Sequence, residues 1–326
     1  MDIVRYRRWF FFLSSVMVVP SLALMLSPLL PVIGKDLGPS LRSGIEFTGG
    51  TALTVEFADK VSTQAVRGQL ESIGHESGTV QSTGDNSFFI RLSELEEEVL
   101  DDEGKVLVPG GRQRVEDALN ALSPMEIRSF DAISAVVGAE TVRASIIAVI
   151  VASIAILFYI TWAFRRVPSP FRYGTAAIVA LVHDLLIVLG VFSILGKTIN
   201  MEVNAMFIIG LLTVIGYSVN DTIVVFDRIR ENLVRHQGST LVDMVNLSVR
   251  ETIGRSLNTS LTLLVVITAL LLFGGPTIAP LLLVLLVGVG VGTYSSIFVA
   301  SMMLVSWETG ELGRALRRLT LARSSS

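Results

Sequence analysis

Cysteine is absent from all 326 residues. That excludes a disulfide framework, a thiolate nucleophile and any cysteine-held zinc or iron–sulfur centre. Histidine is nearly as scarce: His75, His183 and His236 stand far apart with no HExxH spacing, so neither a metal site nor a cofactor is expected. Charge is sparse too. Asp, Glu, Lys and Arg make up 17 % of the chain against 51 % apolar residues, and the mean hydropathy is +0.64. A soluble domain carries roughly a quarter charged residues, so this composition is that of a membrane protein. The formal net charge of −3 says little about partners, and no nucleic acid is expected among them.

What the chain does have is apolar runs near the length of about 20 residues that spans a bilayer. Six occur, at roughly 9–33, 142–164, 173–195, 202–225, 257–273 and 279–305. The first follows Arg5, Arg7 and Arg8 and so resembles a signal peptide, but Pro20, Pro28 and Pro31 interrupt it and no small-x-small cleavage site follows. It is expected to remain as the first span. Arg165, Arg166 and Arg172 lie between spans two and three, and Arg228, Arg230, Arg235, Arg250 and Arg255 between four and five. Arg314, Arg317, Arg318 and Arg323 follow span six, whereas the opposite short loops carry only Lys197. By the positive-inside rule both termini are then cytoplasmic. The expected divisions are a cytoplasmic N-terminus with span one at 1–34, an extracytoplasmic α+β domain at 35–140, spans two to six at 141–306 with a cytoplasmic loop at 226–256, and a cytoplasmic tail at 307–326. A helix after Gly238, capped by Thr240 with Leu241, Val245, Val249 and Ile253 on one side, is expected at the cytoplasmic membrane interface.

Within the exported segment, TALTVEF at 51–57 and SFFIRL at 87–92 alternate in the manner of strands. Ser62 caps a helix carrying Ala65, Val66, Leu70 and Ile73, and Gly84-Asp85-Asn86 marks a hairpin turn between TVQST and SFFIRL. A second helix at about 112–122 and a strand near MEIRSF complete the order β-α-β-β-α-β of a ferredoxin-like sandwich. The acidic run ELEEEVLDDEG at 94–104 reads as a solvated loop between strand and helix in preference to a site for cations or a basic partner. No nucleotide loop or nucleophile–base pattern is present, so the domain reads as a binding or mechanical module.

The spans contain polar residues that hydrocarbon penalises. Asp184 lies 12 residues beyond Arg172, or about 18 Å along a helix, near the bilayer midplane. At that depth an ionisable group marks either a structural bridge or a proton or ion relay. His183 points about 100° away on an ideal helix and is expected to be a packing residue. Asn220, Asp221 and Arg228 form a stripe toward the cytoplasmic end of span four, so that Arg228 closes a path that Asp184 opens. Asn258, Thr259 and Thr262 repeat at helical spacing and could line the same interior. Gly288, Gly292 and Ser296 recur every four residues, a pattern for close helix packing.

Two motifs fail on inspection. Gly196-Lys197-Thr198 looks like the end of a phosphate loop, yet position 191 is Val where GxxxxGK[ST] needs glycine. An aspartyl protease dyad would need Asp184 and Asp221 at one level, and by residue count they differ by about 7 Å in depth.

SGIEFTGGT at 43–51, VHD at 182–184, IGYSVNDTIVVFDRIREN at 215–232, RSLNTS at 255–260 and FGGPTI at 273–278, together with one span, an exported domain and five clustered spans, resemble the SecF branch of the SecD–SecF protein-export family in the resistance-nodulation-division superfamily. Glu46 stands where that family usually has Asp and keeps the charge. The resemblance implies a bacterial inner-membrane subunit that pairs with SecD beside SecYEG and YajC in membrane lipid. Such a subunit uses the proton motive force to promote outward movement of an unfolded preprotein. It implies a proton path through Asp184 and Arg228, with Asp221 and Asn220 beside them, and no enzyme activity. The alternatives left open are a non-conducting scaffold subunit and a small-molecule or lipid exporter of the same superfamily.

Overall fold

A computed structural model describes residues 2–26, 41–76, 78–96, 99–100, 106–108, 110–275, 278–311 and 314. The expected end of the first span, beyond residue 26, and most of the C-terminal tail lie outside the described residues, as do Pro276 and Thr277 of FGGPTI. The chain forms two units, Ser43–Ile146 and the remainder, Met1–Arg42 with Ile147–Ser326.

The smaller unit opens with a short helix α2 (Ile45–Thr48) and strand β1 (Gly50–Phe57). Then come α3 (Thr63–Ser72), β2 (Thr79–Ser82), β3 (Ser87–Leu92), a two-stranded ladder of β4 (Val99–Leu100) with β5 (Val106–Val108), α4 (Gly111–Asn120) and β6 (Met125–Ile133). The main sheet is antiparallel in the order β2-β3-β1-β6, with Leu53 opposite Ile90 and Val55 opposite Phe88. Strand alternation puts Leu53, Val55, Phe57, Phe88, Ile90 and Leu92 into one core against Val66 and Leu70 of α3 and Val115 and Leu119 of α4. Ser62 caps α3 by accepting the N–H of Ala65 at 3.1 Å. The acidic run is more than a loop, because its Val99–Leu100 pair with Val106–Val108. The SGIEFTGGT motif has a steric basis here. Gly49 sits at φ +72°, and a Cβ on it would stand 2.6 Å from the backbone of Ala135. Arg91 fastens the same turn by donating to the carbonyl of Ser43 at 2.7 Å and the hydroxyl of Thr48 at 2.6 Å.

The larger unit is helical: α1 (Arg7–Leu26), α5 (Ala135–Ala163, which starts in the smaller unit), α6 (Pro170–Thr198), α7 (Ala205–Arg235), α8 (Leu241–Phe273), α9 (Ala279–Tyr294), a π-helical segment Ser295–Ala300 and α10 (Ser301–Glu308). Among the described residues six helices are long and apolar enough to cross a membrane, the last being α9 with its continuation through α10. Asn204 caps α7 by accepting the N–H of Phe207 at 3.0 Å, and Thr240 caps α8 through Asp243. The segment after Gly238 runs without a break into the following span. It is the first half of α8, since no proline intervenes and Val245, Val249, Thr252, Ser256 and Ser260 continue one buried stripe. Most of 226–256 is therefore helical.

Packing centres on α6, α7 and α9. Gly210, Val214, Ser218 and Thr222 of α7 meet Val284, Gly288, Gly292 and Ser296 in turn, one contact per four residues. α1 lies on α6 where a Cβ at Gly190 would stand 2.8 Å from Cα of Ser21. Tyr294 ties α1 to α9 by donating to the carbonyl of Phe10 at 2.8 Å. Stacked Phe164 and Tyr173, with Phe226 edge-on to both, fill the end of the bundle near Arg228. Trp9, Phe12 and Val16 of α1 and Ile150, Ile154, Phe158 and Trp162 of α5 stay uncovered by the chain itself. Such faces suit lipid or a membrane partner.

Candidate functional site

Asp184 is 1 % exposed and sits where α6, α7 and the π-helical segment converge. Its Oδ2 accepts hydrogen bonds from Ser218 at 2.6 Å and Ser295 at 2.7 Å. Its Oδ1 is 3.0 Å from Nδ1 of His183. His183 was expected to point away; instead the ring folds back on its neighbour, because rotation about its own side-chain bonds outweighs the 100° step between adjacent Cβ atoms. Gly292 lets α9 approach the cluster closely, since a Cβ there would stand 3.2 Å from Cβ of Ser218. The π-helical segment loosens the turn that follows. Ser295 then serves Asp184 while the adjacent Ser296 shares a hydrogen bond with Thr222 at 2.8 Å and donates to the carbonyl of Ser218 at 3.0 Å.

Asp221, 7 % exposed, belongs to a second cluster between α7 and α8. Its Oδ1 accepts from Ser256 at 2.8 Å, while its buried Oδ2 has no partner among the described residues. Ser260 donates to the carbonyl of Ser256 at 2.9 Å and shares hydrogen bonds with Tyr217 at 2.9 Å and Thr293 at 2.5 Å. Thr293 and Ser295 thus bring the two clusters to opposite sides of one turn. Among the described residues no group of three or more His, Asp and Glu side chains could hold a metal ion.

The remaining expected residues fall elsewhere. Arg228 pairs with Glu231 at 2.5 Å and Glu251 at 2.7 Å, and buried Asn232 donates to Glu251 and Ser248. Asn220, Asn258 and Thr259 lie on the exposed face of α7 and α8, Thr259 donating to its own backbone at Arg255. The hydroxyls that line the interior are Ser256 and Ser260, two residues before Asn258 and one after Thr259. Sequence reading passed over these and over Ser218, Ser295 and Thr293. The available signal was small polar residues spaced by four in apolar helices, Ser218 with Thr222 and Ser256 with Ser260.

Six apolar helices around a buried, hydrogen-bonded polar cluster define a multi-pass membrane protein. Residues 114–310 match the model of the family described as protein export membrane protein SecD/SecF, C-terminal. The chain is 41 % identical to the protein translocase subunit SecF of Thermobaculum terrenum, with 97 % of each chain covered, and 38 % identical to that of Anaerolinea thermophila, with 95 % of each covered. It also superposes on the crystal structure of SecDF, a translocon-associated membrane protein from Thermus thermophilus, with a TM-score of 0.76 at 30 % identity. That match covers 95 % of this chain and 39 % of the longer one. The chain belongs to the SecF family of protein translocase subunits, and its role is that of an accessory subunit in protein transport.

Proposed function

We propose that this chain works with SecD to drive preprotein export through SecYEG at the expense of the proton motive force, and that Asp184 is the group that takes up and releases the proton. The observation that carries this reading is an aspartate 1 % exposed inside a membrane bundle, held by hydroxyls from α7 and from the π-helical segment that follows α9. A carboxylate there changes the preferred packing of three elements when its charge is removed. One charge crossing 100 mV is worth about 2.3 kcal/mol, enough to shift a two-state bundle. Asp221, with its free Oδ2, is a second proton position on the same path. Arg228 stands at the cytoplasmic end, where its pairing with Glu251 joins α7 to α8.

Arginine-rich connections support a bacterial inner-membrane protein with both termini inside, which puts the smaller unit outside. Its β-α-β-β-α-β order and β2-β3-β1-β6 sheet support a ferredoxin-like domain that handles or supports the emerging preprotein. The exposed polar side chains Asn220, Asn258 and Thr259 on membrane-spanning helices call for a protein neighbour rather than lipid. SecD fits that place, as the longer SecDF neighbour suggests. YajC is a further partner in the same assembly.

The test is proton-motive-force-dependent release of a preprotein from vesicles containing SecD and either wild-type or Asp184→Asn protein, with assembly measured alongside. Lost stimulation with intact assembly is expected. A second reading, a scaffold in which Asp184 only bridges helices, is favoured by its three hydrogen bonds and predicts unchanged stimulation.

A further inference from the structure

Among the described residues, His183 is the one partner of Asp184 able to hold a proton of its own. Oδ2 of Asp184 already faces two hydroxyl donors, Ser218 at 2.6 Å and Ser295 at 2.7 Å, the latter shared with the more distant carbonyl of Gly292 at 3.1 Å. Oδ1 has one partner among the described residues, Nδ1 of His183 at 3.0 Å. A proton that neutralises this carboxylate therefore sits on Oδ1 and faces the imidazole. Serine hydroxyls at neutral pH neither keep nor lose a proton; imidazole accepts on one nitrogen while giving from the other. The second nitrogen, Nε2, is buried and has no partner among the described residues, although leaving a polar atom unpaired costs free energy. Tyr294, whose ring centroid is 6.2 Å away, is already committed through its hydroxyl to Phe10 and Ser14.

We propose that His183 is the group through which Asp184 gains and loses its proton; this rests on Asp184 being the proton carrier. In the charged state Nδ1–H donates to Oδ1 of the carboxylate. A proton arriving at Nε2 makes the imidazolium. The Nδ1–H bond then breaks, an O–H bond forms on Oδ1, and a neutral acid is left donating to Nδ1 of a neutral imidazole that carries its hydrogen on Nε2. Discharge runs the same steps backwards: the acid returns its proton to Nδ1 and Nε2 releases one. One proton enters and one leaves, with no other reactant. A 3.0 Å separation is within reach for direct transfer.

His183→Asn and His183→Gln separate transfer from positioning. Asparagine keeps an N–H donor near the place of Nδ1, glutamine reaches toward Nε2, and neither amide exchanges a proton at neutral pH. The rate of proton-driven preprotein release per assembled complex is measured for both, with Asp184→Asn in parallel and co-purification with SecD as the assembly control. Both amide variants are expected to assemble and to lose about a hundredfold or more in rate, the scale of a lost proton-transfer group. A wild-type rate in His183→Asn would reduce the imidazole to a hydrogen-bond donor and overturn the relay, while loss in Asp184→Asn would leave the carrier in place. Failure of both variants to assemble would assign His183 to packing and equally overturn the relay. A wild-type rate in Asp184→Asn would remove the carrier itself.

Discussion

A Cβ at Gly288 would stand 2.2 Å from Cγ2 of Val214, so α9 and α7 touch at a point where only hydrogen fits. Gly288→Ala is expected to destabilise the bundle by about 1–3 kcal/mol, the usual cost of overpacking a filled interior. Val214→Ala should be destabilising alone and should recover part of the loss in the double variant. Thermal unfolding of the four proteins in detergent micelles measures the coupling, and strictly additive effects would refute the contact.

Ser218 and Ser295 both donate to Oδ2 of Asp184, at 2.6 Å and 2.7 Å. Replacing either by Ala removes one donor from a buried carboxylate, at a cost of about 1–3 kcal/mol. Because both serve one oxygen, the double variant should depart from additivity. Unfolding measurements of the single and double variants decide this. Proton-driven release should weaken in the same order if the carboxylate's hydrogen bonds set its exchange.

In the smaller unit, burial first and the nearby Arg114 cation second lower the pKa of His75 below its usual 6.5. The folded state therefore binds this proton less readily than the unfolded chain. The contribution of His75 to stability is fully present above pH 6.5 and is lost as the pH falls through the depressed native value. Proteolytic cleavage within 43–146 of the full-length protein should accelerate over that window, and His75→Gln should flatten the dependence.

The strands and the first helix of the smaller unit were legible because strand alternation and a cap are local. Leu53, Val55, Phe88 and Ile90 fall on one face by period two, and Ser62 precedes its helix. The Gly288, Gly292 and Ser296 spacing announced close packing for the same reason. For Asn258 and Thr259, spacing gives a face of α8 but not which neighbour it meets. The face that turns inward is that of Ser256 and Ser260. Arg228 follows Asp221 by seven residues on α7 and pairs with Glu231 one turn further along the same helix, but its pairing with Glu251 depends on how α8 packs against α7.

By itself the sequence determined six apolar runs long enough to cross a membrane, the α+β segment between the first two, the family and the presence of an aspartate that hydrocarbon penalises, since each follows from composition, motifs and local period. Only the tertiary structure decided what surrounds that aspartate. Ser218 is 34 residues from Asp184 and Ser295 is 111 residues away, so their meeting comes from the packing of α6, α7 and α9 and the π-helical turn. Even the adjacent His183 needed the folded bundle, because its contact is set by a side-chain rotamer that packing selects.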